Sequence, residues 1–127
     1  MAQRGSILIV DDEIGPREAL RMILKSAYTV HTASNGNEAL ECIRKEKIDV
    51  VTLDLKMPGL SGLDVLREIR KLKEGIQVIV ITGMGMVPSA REVLNYGAWD
   101  FISKPFDVAD IMAIVRNAYE HRSATLQ

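Results

Sequence analysis

The stretch Ile7-Leu8-Ile9-Val10-Asp11-Asp12 sets four apolar residues directly against two acids. An unbroken apolar run of this length is what a strand covered on both faces requires, because neither face meets water. Working outward, residues 28–33 alternate well enough for a second strand near a sheet edge. Residues 49–53 read as a third strand ahead of Asp54, and residues 76–81 as a fourth, the clearest, ahead of Thr82. Residues 99–103 make a fifth, ahead of Lys104.

Helical patterns fill the intervals. Residues 15–27 place Ala19, Leu20, Ile23, Leu24 and Ala27 on one stripe. Asn35 with Glu38 forms a capping box before Ala39, Leu40 and Ile43, and Ser61 with Asp64 opens a helix expected to bury Leu63, Leu66 and Ile69. Pro88 suits the first turn of a fourth helix, which carries Val87, Arg91 and Leu94 and ends at Gly97. Asp107 caps a last helix with Val108, Ile111, Met112 and Val115 inward.

Five βα units predict an α/β fold: a doubly wound parallel sheet with helices on both faces, because crossovers are right-handed. Ligands in such sheets gather beyond the carboxyl ends of the strands. The residues standing there are Asp11, Asp12, Asp54, Thr82 and Lys104. Strands one and three are neighbours in this geometry, so the three aspartates are expected to converge. Like charges at close range repel unless neutralised, and a hard divalent cation such as Mg²⁺ does so through oxygen ligands. Lys104 offers a point charge to phosphate oxygens and Thr82 a hydroxyl. Each residue alone would be an ordinary cap, loop or strand position. Together they make the parts of a phosphoryl-transfer centre.

Composition narrows the classes. Of 127 residues, 47% are apolar and 26% charged, an ordinary balance for a packed domain. A formal net charge of -1 gives no general attraction to nucleic acid or membrane. The single cysteine, Cys42, excludes an internal disulfide and fits a reducing compartment. The polar start, residues 1–6, followed by a short apolar run is not a secretory signal, so the cytoplasm is expected. His31 and His121 have no ligand spacing.

Asp11-Asp12, Asp54 followed by Met57-Pro58 and Gly62, Thr82-Gly83 and Lys104-Pro105-Phe106 resemble the receiver domains of bacterial two-component response regulators. The likeness covers residues 6–119. It implies a (βα)5 flavodoxin-like, CheY-like sheet in the order 2-1-3-4-5. It also implies that Asp54 accepts the phosphoryl group from a sensor histidine kinase. Asp11, Asp12, Asp54 and the Lys56 main-chain carbonyl would hold Mg²⁺, for which Mn²⁺ could substitute. Thr82 would be the switch hydroxyl, Phe101 the switch aromatic and Lys104 the phosphate partner, with a cis bond before Pro105. Lys56 and Met84, which flank the phosphoryl group, would tune its hydrolysis. The surface expected to change is the helix-four, strand-five, helix-five face, a possible homodimer contact. The domain itself would act as a switch rather than an enzyme, binding neither nucleic acid nor membrane directly.

Residues 97–106 with Val87-Pro88 look closest to receivers of nitrogen-regulation-type transcription activators, so an output domain is expected beyond residues 120–127, read as the start of a linker. Three rivals fit less well. A flavin protein of this fold needs an amide- and hydroxyl-rich phosphate loop where Asp11-Asp12-Glu13 stands. An aspartate-nucleophile phosphatase carries a second Asp at the position of Lys56. A pseudo-receiver would lack part of the set that Asp12, Asp54, Thr82 and Lys104 complete.

Overall fold

The computed structural model describes residues 4–56, 62–72, 75–83 and 94–125, with side chains through residue 122. Five parallel strands form one sheet in the order β2-β1-β3-β4-β5. They are β1 Ser6–Val10, β2 Thr29–Ala33, β3 Val50–Asp54, β4 Gln77–Thr82 and β5 Asp100–Ser103. Each agrees with its predicted strand to within a residue. That residue matters at β3 and β4, where Asp54 and Thr82 close the strands rather than follow them. Their ladder partners are Ile81 and Ser103 respectively.

Alternate residues of each strand point to opposite faces, and two cores result. Leu8, Val10, Val51, Leu53, Val78 and Val80 pack with Ala39, Leu40, Ile43, Val65, Leu66 and Ile69. Those partners come from α2 (Gly36–Lys45) and α3 (Gly62–Leu72). On the other face Ile7, Ile9, Val50, Ile79 and Ile81 meet Leu20 and Leu24 of α1 (Ile14–Leu24). They also meet Ile111, Val115 and Ala118 of the C-terminal helix (Val108–Thr125). Both faces of the central strands are dry, which is why those strands read as unbroken apolar runs.

Several inward assignments need correction. The first helix stops at Leu24, and Ala19 and Ala27 are exposed. Just past that end the Arg4 guanidinium donates to the carbonyls of Lys25 (2.6 Å) and Tyr28 (2.9 Å), satisfying groups left open there. On α3, Val65 is buried and Leu63 only half-buried. On the C-terminal helix Val108 is 56% exposed, while Ala118 joins the core. The predicted fourth helix falls largely outside the described residues, as does the Ser61 cap. Its end is described: Gly97 adopts φ 98° and donates its N–H to the Leu94 carbonyl at 3.0 Å, as a glycine closing a helix does.

Two caps form as read. Asn35 Oδ1 accepts from the Glu38 N–H at 2.8 Å, and Asp107 Oδ1 from the Asp110 N–H at 2.9 Å. The return bond of the capping box is displaced by one residue, since Glu38 accepts from the N–H and hydroxyl of Ser34. At the far end of the sheet, Arg122 Nε reaches Asp49 Oδ1 at 3.1 Å. Asp49 Oδ2 accepts from the Ser6 N–H, so one carboxylate ties the helix to the strand entrances. Among the described residues no helix is long and apolar enough to cross a membrane.

Candidate functional site

The sheet order puts β1 between β2 and β3, so chain connections leave it in opposite directions, and a crevice opens at the carboxyl ends of β1 and β3. Asp11 follows β1 and is 2% exposed; Asp54 ends β3 and is 4% exposed. The Asp11 N–H continues the ladder to the Ala33 carbonyl at 3.1 Å, and its Oδ1 accepts from the Glu13 N–H at 2.9 Å. Burial pushes the Asp11 carboxyl above its ordinary value. The Glu13 N–H opposes that rise, the charges of Asp54 and Asp12 add to it, and Lys104 offsets part of it.

Both oxygens of Asp54 are held. Oδ1 accepts from the Lys56 N–H at 2.8 Å, and Oδ2 from Lys104 Nζ at 3.0 Å. Burial alone would lower the lysine, but the hydrogen bond and charge of Asp54, with Asp11 and Glu13 behind it, hold the ammonium above its usual range. Lys104 is placed by its own main chain, whose N–H donates to the Thr82 carbonyl at 2.8 Å, and the Lys104–Pro105 bond is cis. Thr82 is half-buried at the end of β4, its Oγ1 3.4 Å from Ser103 Oγ.

The structure therefore brings Asp11, Asp54, Lys104 and Thr82 to one edge of the sheet. Asp12 stands beside them but is exposed. Of the three carboxylates expected to converge, Asp11 and Asp54 are buried and Asp12 is exposed. Among the described residues no three His, Cys, Asp or Glu side chains are grouped so as to hold a metal unaided. Lys56 is exposed, and Phe101 is half-buried against the α2–α3 core. Met57, Pro58 and Met84 lie outside the described residues.

Three contributions to the site escaped the sequence reading. A Cβ at Gly62 would lie 2.7 Å from Leu55 Cα and 3.3 Å from the Asp54 carbonyl, so glycine lets α3 begin against the backbone of the acid. Arg17 Nη1 donates to the Asp11 main-chain carbonyl at 2.9 Å. A mainly apolar groove of about 200 Å³ runs from Asp11 and Lys104 past Pro16, Ala19 and Ile23 to Phe106. Glycine in a recognised motif was a signal for the first. A side chain bonded to main chain leaves no pattern, and the groove exists only once α1 is docked.

Comparison with known proteins agrees with this architecture. The family model of the response regulator receiver domain matches residues 7–116. The chain is 38% identical over 111 residues to sporulation initiation phosphotransferase F of Bacillus subtilis, spanning 87% of this chain and 90% of that protein. It is 35% identical over 120 residues to the DNA-binding transcriptional regulator NtrC of Salmonella typhimurium, spanning 94% of this chain but only 26% of the relative. The crystal structure of a response regulator receiver domain protein from Clostridium thermocellum superposes with a TM-score of 0.89 at 34% identity, covering 95% of this chain and 98% of that one. The parallel 2-1-3-4-5 sheet and these matches together place the chain in the response regulator receiver domain family of two-component signalling.

Proposed function

We propose that this domain is a phosphorylation-operated switch whose acceptor is Asp54. The observation that carries this is the double hold on the Asp54 carboxylate, by the Lys56 N–H and by Lys104 Nζ, at the mouth of the crevice. A carboxylate fixed on both oxygens keeps its lone pairs aimed, and for phosphoryl transfer positioning and charge neutralisation supply most of the catalysis. A sensor histidine kinase would present a phosphohistidine. An Asp54 oxygen attacks the phosphorus in line, an O–P bond forms, and the P–N bond to the imidazole breaks. Lys104 follows the charge onto the phosphoryl oxygens, and the Thr82 hydroxyl donates to one of them.

The donor set suits Mg²⁺. Asp11, Asp12 and Asp54 offer hard oxygens, the Lys56 carbonyl another, and one ammonium leaves negative charge in excess. Mg²⁺ is usually held by one or two carboxylates with waters completing its shell, so a cage of three side chains is not required. When bound, the ion supplies charge neutralisation to the transferring group, and Mn²⁺ could stand in.

Phosphoryl contacts made in one state and not the other shift a two-state equilibrium. Thr82 moving inward would free space for Phe101, altering the face formed by the fourth helical segment, β5 and the C-terminal helix. That face would then govern dimerisation or an output domain, with transcription control as the readout. A cytoplasmic setting, a single domain over residues 1–127 and a linker from residue 120 complete the proposal. Acetyl phosphate with Mg²⁺ should add one phosphoryl mass to the wild type and none to Asp54→Ala. An unmodified wild type overturns the reading.

A further inference from the structure

The turn that carries Asp11 and Asp12 is fixed by four hydrogen bonds. The Asp11 N–H goes to the Ala33 carbonyl (3.1 Å), the Glu13 N–H to Asp11 Oδ1 (2.9 Å) and the Arg17 N–H to the Glu13 carbonyl (3.2 Å). The fourth is made by a side chain: Arg17 Nη1 donates to the Asp11 main-chain carbonyl at 2.9 Å, across six residues. The donor is charged and part-buried, which puts it among the stronger hydrogen bonds a protein makes. The Asp11 carbonyl lies just past the end of the β1 ladder, where strand pairing no longer provides it a donor.

The charge of the guanidinium favours the ionised form of carboxylates on two elements. On its own helix it acts on Glu18, which is bonded to Arg21. On α2 it acts on Glu38, which is bonded to Ser34. Arg17 thus ties the acidic turn to α1 through its bond to the Asp11 carbonyl, and its removal would release the turn on that side.

We infer that Arg17 is a positioning residue that holds the Asp11 main chain so that the Asp11 and Asp12 carboxylates meet a divalent cation in a set arrangement. The inference rests on the cation-binding part of the proposed function. It also has a sign that separates it from simple electrostatics. A fixed positive charge near a cation site lowers cation affinity through space, so deleting one should tighten binding if charge were its whole effect. Groups that orient metal ligands act the other way, and losing them weakens affinity by about 10–100-fold.

The test is titration of the intact chain with Mg²⁺ alone, followed by calorimetry, for wild type, Arg17→Met and Arg17→Lys. Arg17→Met is expected to bind roughly tenfold more weakly. Arg17→Lys, which keeps the charge and loses the planar fork, should fall between the two. Melting temperatures in metal-free buffer and the amide shifts of Asp11, Asp12 and Glu13 at saturating Mg²⁺ separate a displaced turn from general loosening. If Arg17→Met fails to fold, Arg17→Lys decides: weaker binding at an unchanged melting temperature supports the inference, and unchanged binding overturns it. Equal or tighter binding by Arg17→Met overturns it as well. A wild type that binds no Mg²⁺ takes down the cation reading with it, whereas normal wild-type binding with unchanged variants removes the role of Arg17 alone.

Discussion

Lys104 Nζ lies 3.0 Å from Asp54 Oδ2, a charged hydrogen bond that spans fifty residues of sequence and closes the crevice between β3 and β5. Because β4 lies between those strands, the lysine crosses over the end of Thr82's strand to reach the acid. Lys104→Met is expected to slow phosphoryl uptake from acetyl phosphate roughly 10²-fold, the scale of losing one preorganised donor. Intact mass against time measures it.

The same pair sets a pH dependence. Against the lowering effect of burial, the lysine is held above its ordinary value in the folded state by the Asp54 carboxylate beside it. Its stabilisation is therefore fully present below the unfolded value and is lost as pH rises through the higher folded one. With the lysine side chain 35% exposed, solvent screening limits the contribution to about 1 kcal/mol. Urea melts of wild type and Lys104→Met should differ by a constant amount through neutral pH, and the gap should close only in strong alkali.

Asp11 behaves oppositely at neutral pH. Burial raises its carboxyl above the ordinary carboxylate value, so keeping it ionised when folded costs stability once the pH exceeds the folded value. Asp11→Asn should melt higher than wild type in metal-free buffer at neutral pH. Added Mg²⁺ should narrow the gap, since a ligand bound to the folded wild type stabilises it by mass action. A lower melting temperature for the variant would contradict the assignment.

Under the proposed function Lys56 and Met84 are expected to tune hydrolysis, because neither an ammonium nor a thioether acts as a base toward water. Lys56→Asn with Met84→Glu should hasten loss of the phosphoryl group by about an order of magnitude, below the 10²–10⁴ of a fully positioned base. Decay of labelled protein after removal of the donor reads this out; an unchanged lifetime removes both residues from hydrolysis control.

Gly62→Ala would drive a methyl group against Leu55 Cα and the Asp54 carbonyl, and backbone atoms cannot turn aside as a side chain can. A loss of about 1–3 kcal/mol is expected in denaturant melts, the range for overpacking. Slower uptake should accompany it, because the displaced backbone is that of the acceptor.

Thr52 is fully buried two residues before Asp54, and its hydroxyl has no hydrogen-bond partner among the described residues. Thr52→Val preserves the shape and removes the unmet polar group, so it should stabilise the fold by about 1 kcal/mol. A destabilised variant would mean that the hydroxyl is satisfied in solution, for instance by an internal water.

The amino-acid sequence by itself determined the five strands, their α/β alternation and the placement of Asp11, Asp54, Thr82 and Lys104 at one edge of the sheet. Period and length carry that information locally: dry central strands must be apolar throughout, and a parallel sheet sends every strand end to the same side. Tertiary structure decided which side chains those positions use. Ala19, Leu63 and Val108 sit on apolar stripes yet face outward or half-outward, because the inward arc of a helix depends on its angle against the sheet. The Arg17 bond to the Asp11 carbonyl, the room at Gly62 and the Arg122–Asp49 pair across 73 residues were decided there too. They join elements distant in the chain or end on main-chain atoms common to every residue, and so leave no periodic trace. Asp12 is the plainest case: adjacent to Asp11 and chemically identical, it is exposed where Asp11 is buried, a difference set by how the turn after β1 packs and not by residue type.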